Sequence, residues 1–177
     1  MKIYDHQGLV AVAASWLAKK HSVVVTELVT TGETPDAIGW RGSYSTLVEC
    51  KTSVGDFRAD AAKFSRQNAW HGIGQARYFL APEGVIPMAE LPPKWGLLEL
   101  VECGIRVTRK AEHFDDVNTR HEVEILLSTI RRIGHQRPKG VSVKCYTIES
   151  KNTATVGIEL QEVADAQESP QRAVSRG

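Results

Sequence analysis

The chain has few cysteines, almost no excess charge of either sign, and no long apolar run. Each of these absences excludes something. Its three cysteines, Cys50, Cys103 and Cys145, are an odd number with no CxxC spacing, which argues against a disulfide framework and against a zinc knuckle. That usage fits a reducing, cytoplasmic compartment. Lys and Arg number 22 against 21 Asp and Glu, a net charge of +1, so any attraction to DNA has to come from a local patch. No stretch approaches the roughly 20 apolar residues of a membrane span, and no membrane partner is expected. The apolar run from Gly8 to Ala18 has Asp5 and Gln7 before it and Lys19 and Lys20 after it, the reverse of a signal peptide's charge order. The six histidines lack metal-ligand spacing, and neither a glycine-rich phosphate loop nor a Gly-x-Ser-x-Gly elbow occurs.

What is present reads as one domain over residues 1–162, followed by a small, polar tail over 163–177 that is expected to be disordered. At 177 residues a single core suffices, and the 42% hydrophobic content is that of a globular protein. Leu9, Val12, Ala13, Trp16 and Leu17 recur at helical spacing. Short β-branched or apolar runs at 23–28, 35–40 and 46–51 predict three strands. Ser53 followed by Asp56 has the spacing of a helix cap, with Phe57, Ala61 and Phe64 repeating at i, i+4, i+7 behind it. Strands are predicted at 77–81, 96–101 and 105–109. A last helix is expected to bury the face formed by Val123, Leu126, Leu127 and Ile130. A C-terminal β-hairpin is expected from the alternation at 141–148 and 155–160.

The chemistry concentrates at the ends of the second and third strands. Residues two apart on a strand share a face, so Glu49 and Lys51 point one way and the Cys50 side chain the other. Pairing of the two strands through a short turn would bring Asp36 to the same face. Two carboxylates and an ammonium at one point suit metal-assisted phosphodiester hydrolysis, in which hard oxygen ligands hold Mg²⁺, or Mn²⁺ in its place. Lys51 would orient or deprotonate water, or stabilise phosphoryl charge. The Cys50 backbone carbonyl is a further candidate ligand. Glu149-Ser150-Lys151 has the same acid-x-Lys pattern but lies in the hairpin turn with no Pro-Asp strand before it, and reads as solvated surface.

Pro35-Asp36 and Glu49-Cys50-Lys51, within the order α-β-β-β-α-β, resemble the PD-(D/E)xK nuclease superfamily. Ser53, Asp56-Phe57, Asp60, Lys63, Gly72-Ile73-Gly74 and the segment from Arg77 to Pro82 are similar to a branch of small phage- and prophage-associated nuclease-like proteins. The resemblance covers roughly residues 5–133. It implies an α/β, restriction-endonuclease-like core with a mixed central sheet flanked by helices. The implied activity is a metal-dependent deoxyribonuclease of phage or prophage DNA processing, repair or recombination, with catalytic Asp36, Glu49 and Lys51. Many members also place an acid or a histidine on the first helix. Here that helix offers only Asp5, His6 and Gln7 near its start, so either Glu27 or Glu33 takes that place or a second metal position is weak.

DNA contacts are expected from Arg58 and Lys63 beside the site, from Arg66, His71 and Arg77 around the Gly72–Gly74 loop, and from the basic run containing Arg131, Arg132 and Arg137. The rival reading is a nuclease-like module that binds DNA or a partner protein without turnover. A homodimer and a host or phage protein, such as a defence or recombination factor, stand as alternative partners beside DNA.

Overall fold

A computed structural model describes residues 5–134 except 31, 62, 64, 65 and 67. The expected C-terminal hairpin, the tail from 163 and Arg137 lie outside the described residues. Asp5 opens the first helix, α1 (His6–Ala18), by accepting the Gly8 N–H at 2.8 Å. Leu9, Val10, Ala13 and Leu17 form its buried stripe. Strands β1 (Val23–Thr26), β2 (Ala37–Arg41) and β3 (Tyr44–Cys50) follow, then α2 (Val54–Ala61), β4 (Ala76–Pro82), β5 (Gly96–Val101), β6 (Gly104–Arg109) and α3 (Thr119–Gly134). Ser53 caps α2 through its hydroxyl, which accepts the Asp56 N–H at 3.2 Å, as the spacing predicts.

The protein is α/β, with one mixed six-stranded sheet in the order β1-β2-β3-β4-β5-β6. The first three strands and the last pair run antiparallel, while β3, β4 and β5 are mutually parallel. β2 and β3 are joined by a two-residue turn whose Gly42 has φ +61, so Arg41 pairs with Tyr44 and Ala37 with Val48. The parallel step from β3 to β4 needs a crossover, and α2 lies in it.

The strand alternation divides the core. Val48, Cys50, Tyr78, Leu80 and Leu98 face α1. Ile38, Trp40, Leu47, Phe79 and Leu97 face the opposite side, where they pack with Phe57 of α2, Ile125 of α3 and Trp95. Glu49 and Lys51 share the parity of Leu47, which places them on the α2 side.

The face buried by α3 differs from the periodicity's expectation. Ile125, His121 and Glu122 are buried, Leu126 is partly buried, and Val123, Leu127 and Ile130 are 47%, 53% and 59% exposed. The Glu122 carboxylate sets the rotation, because it accepts from Trp40 Nε1 at 3.1 Å, Ser45 Oγ at 2.9 Å and the Gly74 N–H at 2.8 Å. Three donors satisfy a buried acid, and turning the apolar stripe inward would take from Glu122, the Trp40 indole N–H and the Gly74 N–H the bonds that pair them here, while Ser45 Oγ would keep Gln75.

Gly74 itself is constrained twice. Its φ is +87, and a Cβ there would lie 2.7 Å from Leu47 Cβ. Gly42 has a positive φ but open space around it. Gly74→Ala should therefore cost about 2 kcal/mol or more in urea unfolding, against about 1 kcal/mol for Gly42→Ala, since only the first adds overpacking to backbone strain.

Candidate active site at the ends of β2 and β3

Asp36 stands one residue before β2 and is held by the neighbouring strand: its Oδ2 accepts the Cys50 N–H at 2.7 Å. Cys50 thus enters the site through its backbone. Its thiol is buried on the α1 side, where burial, with Asp36 and Glu49 nearby, pushes it well above the usual thiol range. The other oxygen of Asp36 lies 3.3 Å from His6 Nε2. Glu27 reaches the same corner because its backbone turns left-handed, φ +48, and its N–H donates to the Pro35 carbonyl at 3.0 Å. Its carboxylate accepts from Gln7 Nε2 at 2.8 Å and lies 3.8 Å from His6. The first turn of α1 therefore meets Glu27 and Asp36 through His6 and Gln7.

Glu49 and Lys51 are 2% and 4% exposed. Lys51 Nζ lies 3.5 Å from Glu49 Oε2 and 3.4 Å from Asp60 Oδ1. Asp60, on α2, also takes Lys63 at 2.6 Å and Arg66 Nε at 2.6 Å. The buried Arg66 guanidinium then bridges onward, with Nη2 at 3.2 Å from Glu49 Oε1 and Nη1 paired with Glu33. Its other side lies 4.9 Å from the Trp95 ring centroid. Two arms thus converge on the strand ends, Asp36 with Glu27 and His6 on one, and Glu49, Lys51, Asp60, Arg66 and Glu33 on the other.

Burial pushes the Glu49 carboxyl up to about 7; Arg66 and Lys51 oppose the shift, and Asp36 and Asp60 add to it. Burial alone would depress the Lys51 ammonium, yet Glu49, Asp60 and Asp36 outweigh it and hold the ammonium above its usual value. Lys51 is therefore a fixed cation at neutral pH, suited to stabilising charge and not to removing a proton. Asp60, although burial resists its ionisation, is held below the ordinary range by Arg66, Lys63 and Lys51.

Asp36, Glu33, Glu49 and Asp60 set four carboxylates against the cations Lys51, Lys63 and Arg66. The surplus is one negative charge when Glu49 is ionised, and the raised Glu49 carboxyl withholds part of it near neutral pH; Glu49 Oε1 is a buried oxygen without a hydrogen bond. Among the described residues no three His, Cys, Asp or Glu side chains form a metal-holding group. Mg²⁺ does not require one, because it is commonly held by one or two carboxylates with waters and phosphate oxygens completing its shell. Asp36 and Glu49 fit that mode, with Glu27 the adjoining acid. Glu33 belongs instead to the Arg66 arm, and its carbonyl lies 2.8 Å from His121 Nε2.

The expected DNA-contacting residues divide. Arg66 and Arg77 turn inward and cannot meet a phosphate: the first serves the carboxylate cluster, and the second donates to the carbonyls of Gly74, Ala69 and Gly72 at 2.9, 2.7 and 3.1 Å. Arg58 is exposed but forked onto Glu90 at 2.8 and 2.7 Å. Lys63 is half exposed while holding Asp60. His71 lies in a short 3-10 turn, Ala69–His71, against Trp70. Arg131 and Arg132 are exposed in the last turn of α3, where Arg132 also donates to the Val29 carbonyl at 3.3 Å. The sequence reading gave Arg66 to DNA and ranked His6 below the acids. Only the adjacent His6-Gln7 pair at a helix start hinted at the second, and nothing local marks the first.

No protein-family model matches the chain, and no curated protein matches it. The chain is similar to a solved structure, the SPO1766 protein of unknown function from Silicibacter pomeroyi, at 23% sequence identity and a TM-score of 0.57, covering 77% of this chain and 94% of that one. Identity at that level speaks to the fold alone.

The Glu49 shift carries a pH signature. With its folded value near 7 against a usual 4.5, the folded state binds the extra proton between those limits. The stability this group contributes is complete below pH 4.5 and is lost as pH rises through 7. In EDTA, wild-type urea stability should fall from pH 5 to 7.5 by at most about 3 kcal/mol from this source. Glu49→Gln, neutral throughout, should lack that fall, and equal slopes in the two proteins would contradict the assignment.

Proposed function

We propose that the chain is a Mg²⁺-dependent deoxyribonuclease whose site is formed by Asp36, Glu49 and Lys51. The observation that carries this reading is the position of Lys51, a buried ammonium 3.5 Å from Glu49 and 3.4 Å from Asp60, at the strand end where the Cys50 N–H fixes Asp36. Asp36 and Glu49 would hold the metal, which when bound polarises a phosphodiester and lowers the pKa of water. Lys51 stabilises the negative charge that develops on the phosphate, and it does so from a position fixed before substrate arrives. Asp60 keeps Lys51 charged and in place, and Arg66 holds Asp60 and Glu49 at their separation. DNA approaches with its phosphates toward the cations that remain exposed, Lys63 next to the site and Arg131 and Arg132 on α3.

A second reading, a nuclease-like module that binds DNA or a partner protein without turnover, is favoured by Arg66. Its guanidinium already partners Glu49 Oε1, the oxygen a metal would use.

Incubation with linear, circular, single-stranded and branched DNA in Mg²⁺, Mn²⁺ or EDTA separates the two. The nuclease reading expects cleavage in either metal and none in EDTA. It expects Lys51→Ala to cleave on the order of 10² more slowly with little change in DNA affinity. Absence of cleavage of every DNA form would transfer the assignment to the binding module, and a Lys51→Ala rate equal to wild type would remove Lys51 from the catalytic set.

A further inference from the structure

The connection between α2 and β4 displays a tryptophan in the open. Trp70 is 59% exposed, whereas Trp40 and Trp95 are buried in the core. Its ring lies against His71, with centroids 3.6 Å apart, giving two adjacent aromatic rings at the surface.

The backbone beneath them is held firmly. The buried Arg77 guanidinium draws in the carbonyls of Ala69, Gly72 and Gly74 and rests 4.1 Å over the Phe114 ring. A Cβ on Gly72 would fall 2.5 Å from Arg77 Nη1, so glycine lets the backbone close onto the guanidinium. The Asn118 N–H donates to the Gly72 carbonyl at 2.9 Å, tying the same turn to the start of α3. Trp70 is thus presented by a turn whose ordering cost folding has already met, the condition under which an exposed aromatic side chain binds most effectively. Among the described residues neither core cluster includes it.

Position along the chain links this feature to the candidate site. Arg66, which touches Glu49 and Asp60, precedes Trp70 by four residues, so their backbones are at most about 14 Å apart. Lys63, on the same connection, is half exposed and cationic.

We propose that Trp70, backed by His71, is a stacking platform for unpaired nucleobases, which makes single-stranded DNA, or a single-stranded segment beside a duplex, the substrate class. The proposal rests on the nuclease reading for its substrate but not for its binding. Every base offers a π-face, so an aromatic platform binds single strands with little sequence preference. Within a duplex those faces are covered by neighbouring base pairs, and the platform has nothing to stack on.

Anisotropy of labelled 12-nucleotide oligo-dT and of a 12-base-pair duplex, with the full chain in EDTA, reads binding without cleavage. Wild type should bind the single strand more tightly than the duplex. Trp70→Ala should lose on the order of 10-fold or more in single-strand affinity, keep its duplex affinity and melting temperature, and be largely rescued as Trp70→Phe. Unchanged single-strand affinity in Trp70→Ala, a duplex preference in wild type, or binding of neither DNA would overturn the proposal. Cleavage of the same oligonucleotides in Mg²⁺ keeps the two readings apart. Loss of affinity in Trp70→Ala without any wild-type cleavage retains the platform and removes the nuclease, while cleavage with no Trp70 effect removes the platform alone.

Discussion

The Arg66 guanidinium, buried among Glu49, Asp60 and Glu33, is the contact on which the rest of the site depends. It joins the loop before β2, the end of β3 and the segment after α2. Taking these charges out of water is expensive, and apolar side chains of similar volume would commonly hold the same space at no loss of stability. Stability alone therefore gives no reason for the cluster. Removing Arg66 would leave three carboxylates facing one another around a single buried lysine. Asp60 is the second keystone, since it fixes Arg66 on one side and Lys51 on the other.

The sheet divides structural from chemical work by strand parity. Its α1 face is filled with aliphatic side chains and Tyr78, and contributes only the Cys50 backbone and the first turn of α1 to the site. Its opposite face runs from apolar packing around Phe79 and Trp95 into the ion cluster at the strand ends. A one-residue slip of β3 would send Glu49 and Lys51 into the α1 core. The Gly42-Ser43 turn, by pairing Arg41 with Tyr44, fixes the register that prevents it.

Local rules made the element order, the Ser53 cap and the shared face of Glu49 and Lys51 legible, because each depends on neighbours within a few residues. The rotation of α3 was not legible. Its periodicity favours Val123, Leu127 and Ile130, but Glu122 meets donors 48 to 82 positions away. Arg66 and Arg77 were misread for a related reason. A basic residue near a glycine loop looks like a phosphate ligand until the carbonyls of that loop and the distant carboxylates are folded around it. His6 gained its place only when the left-handed turn at Glu27 brought that acid to the start of α1.

Central to the proposed function is a divalent cation held between Asp36 and Glu49. Anomalous diffraction from crystals grown with Mn²⁺ tests it directly. The account predicts a peak within ligand distance of one oxygen of Asp36 and one of Glu49, with Arg66 drawn off Glu49 Oε1 but retained by Asp60. No peak at that position in saturating Mn²⁺, with Arg66 still against Glu49, would contradict it.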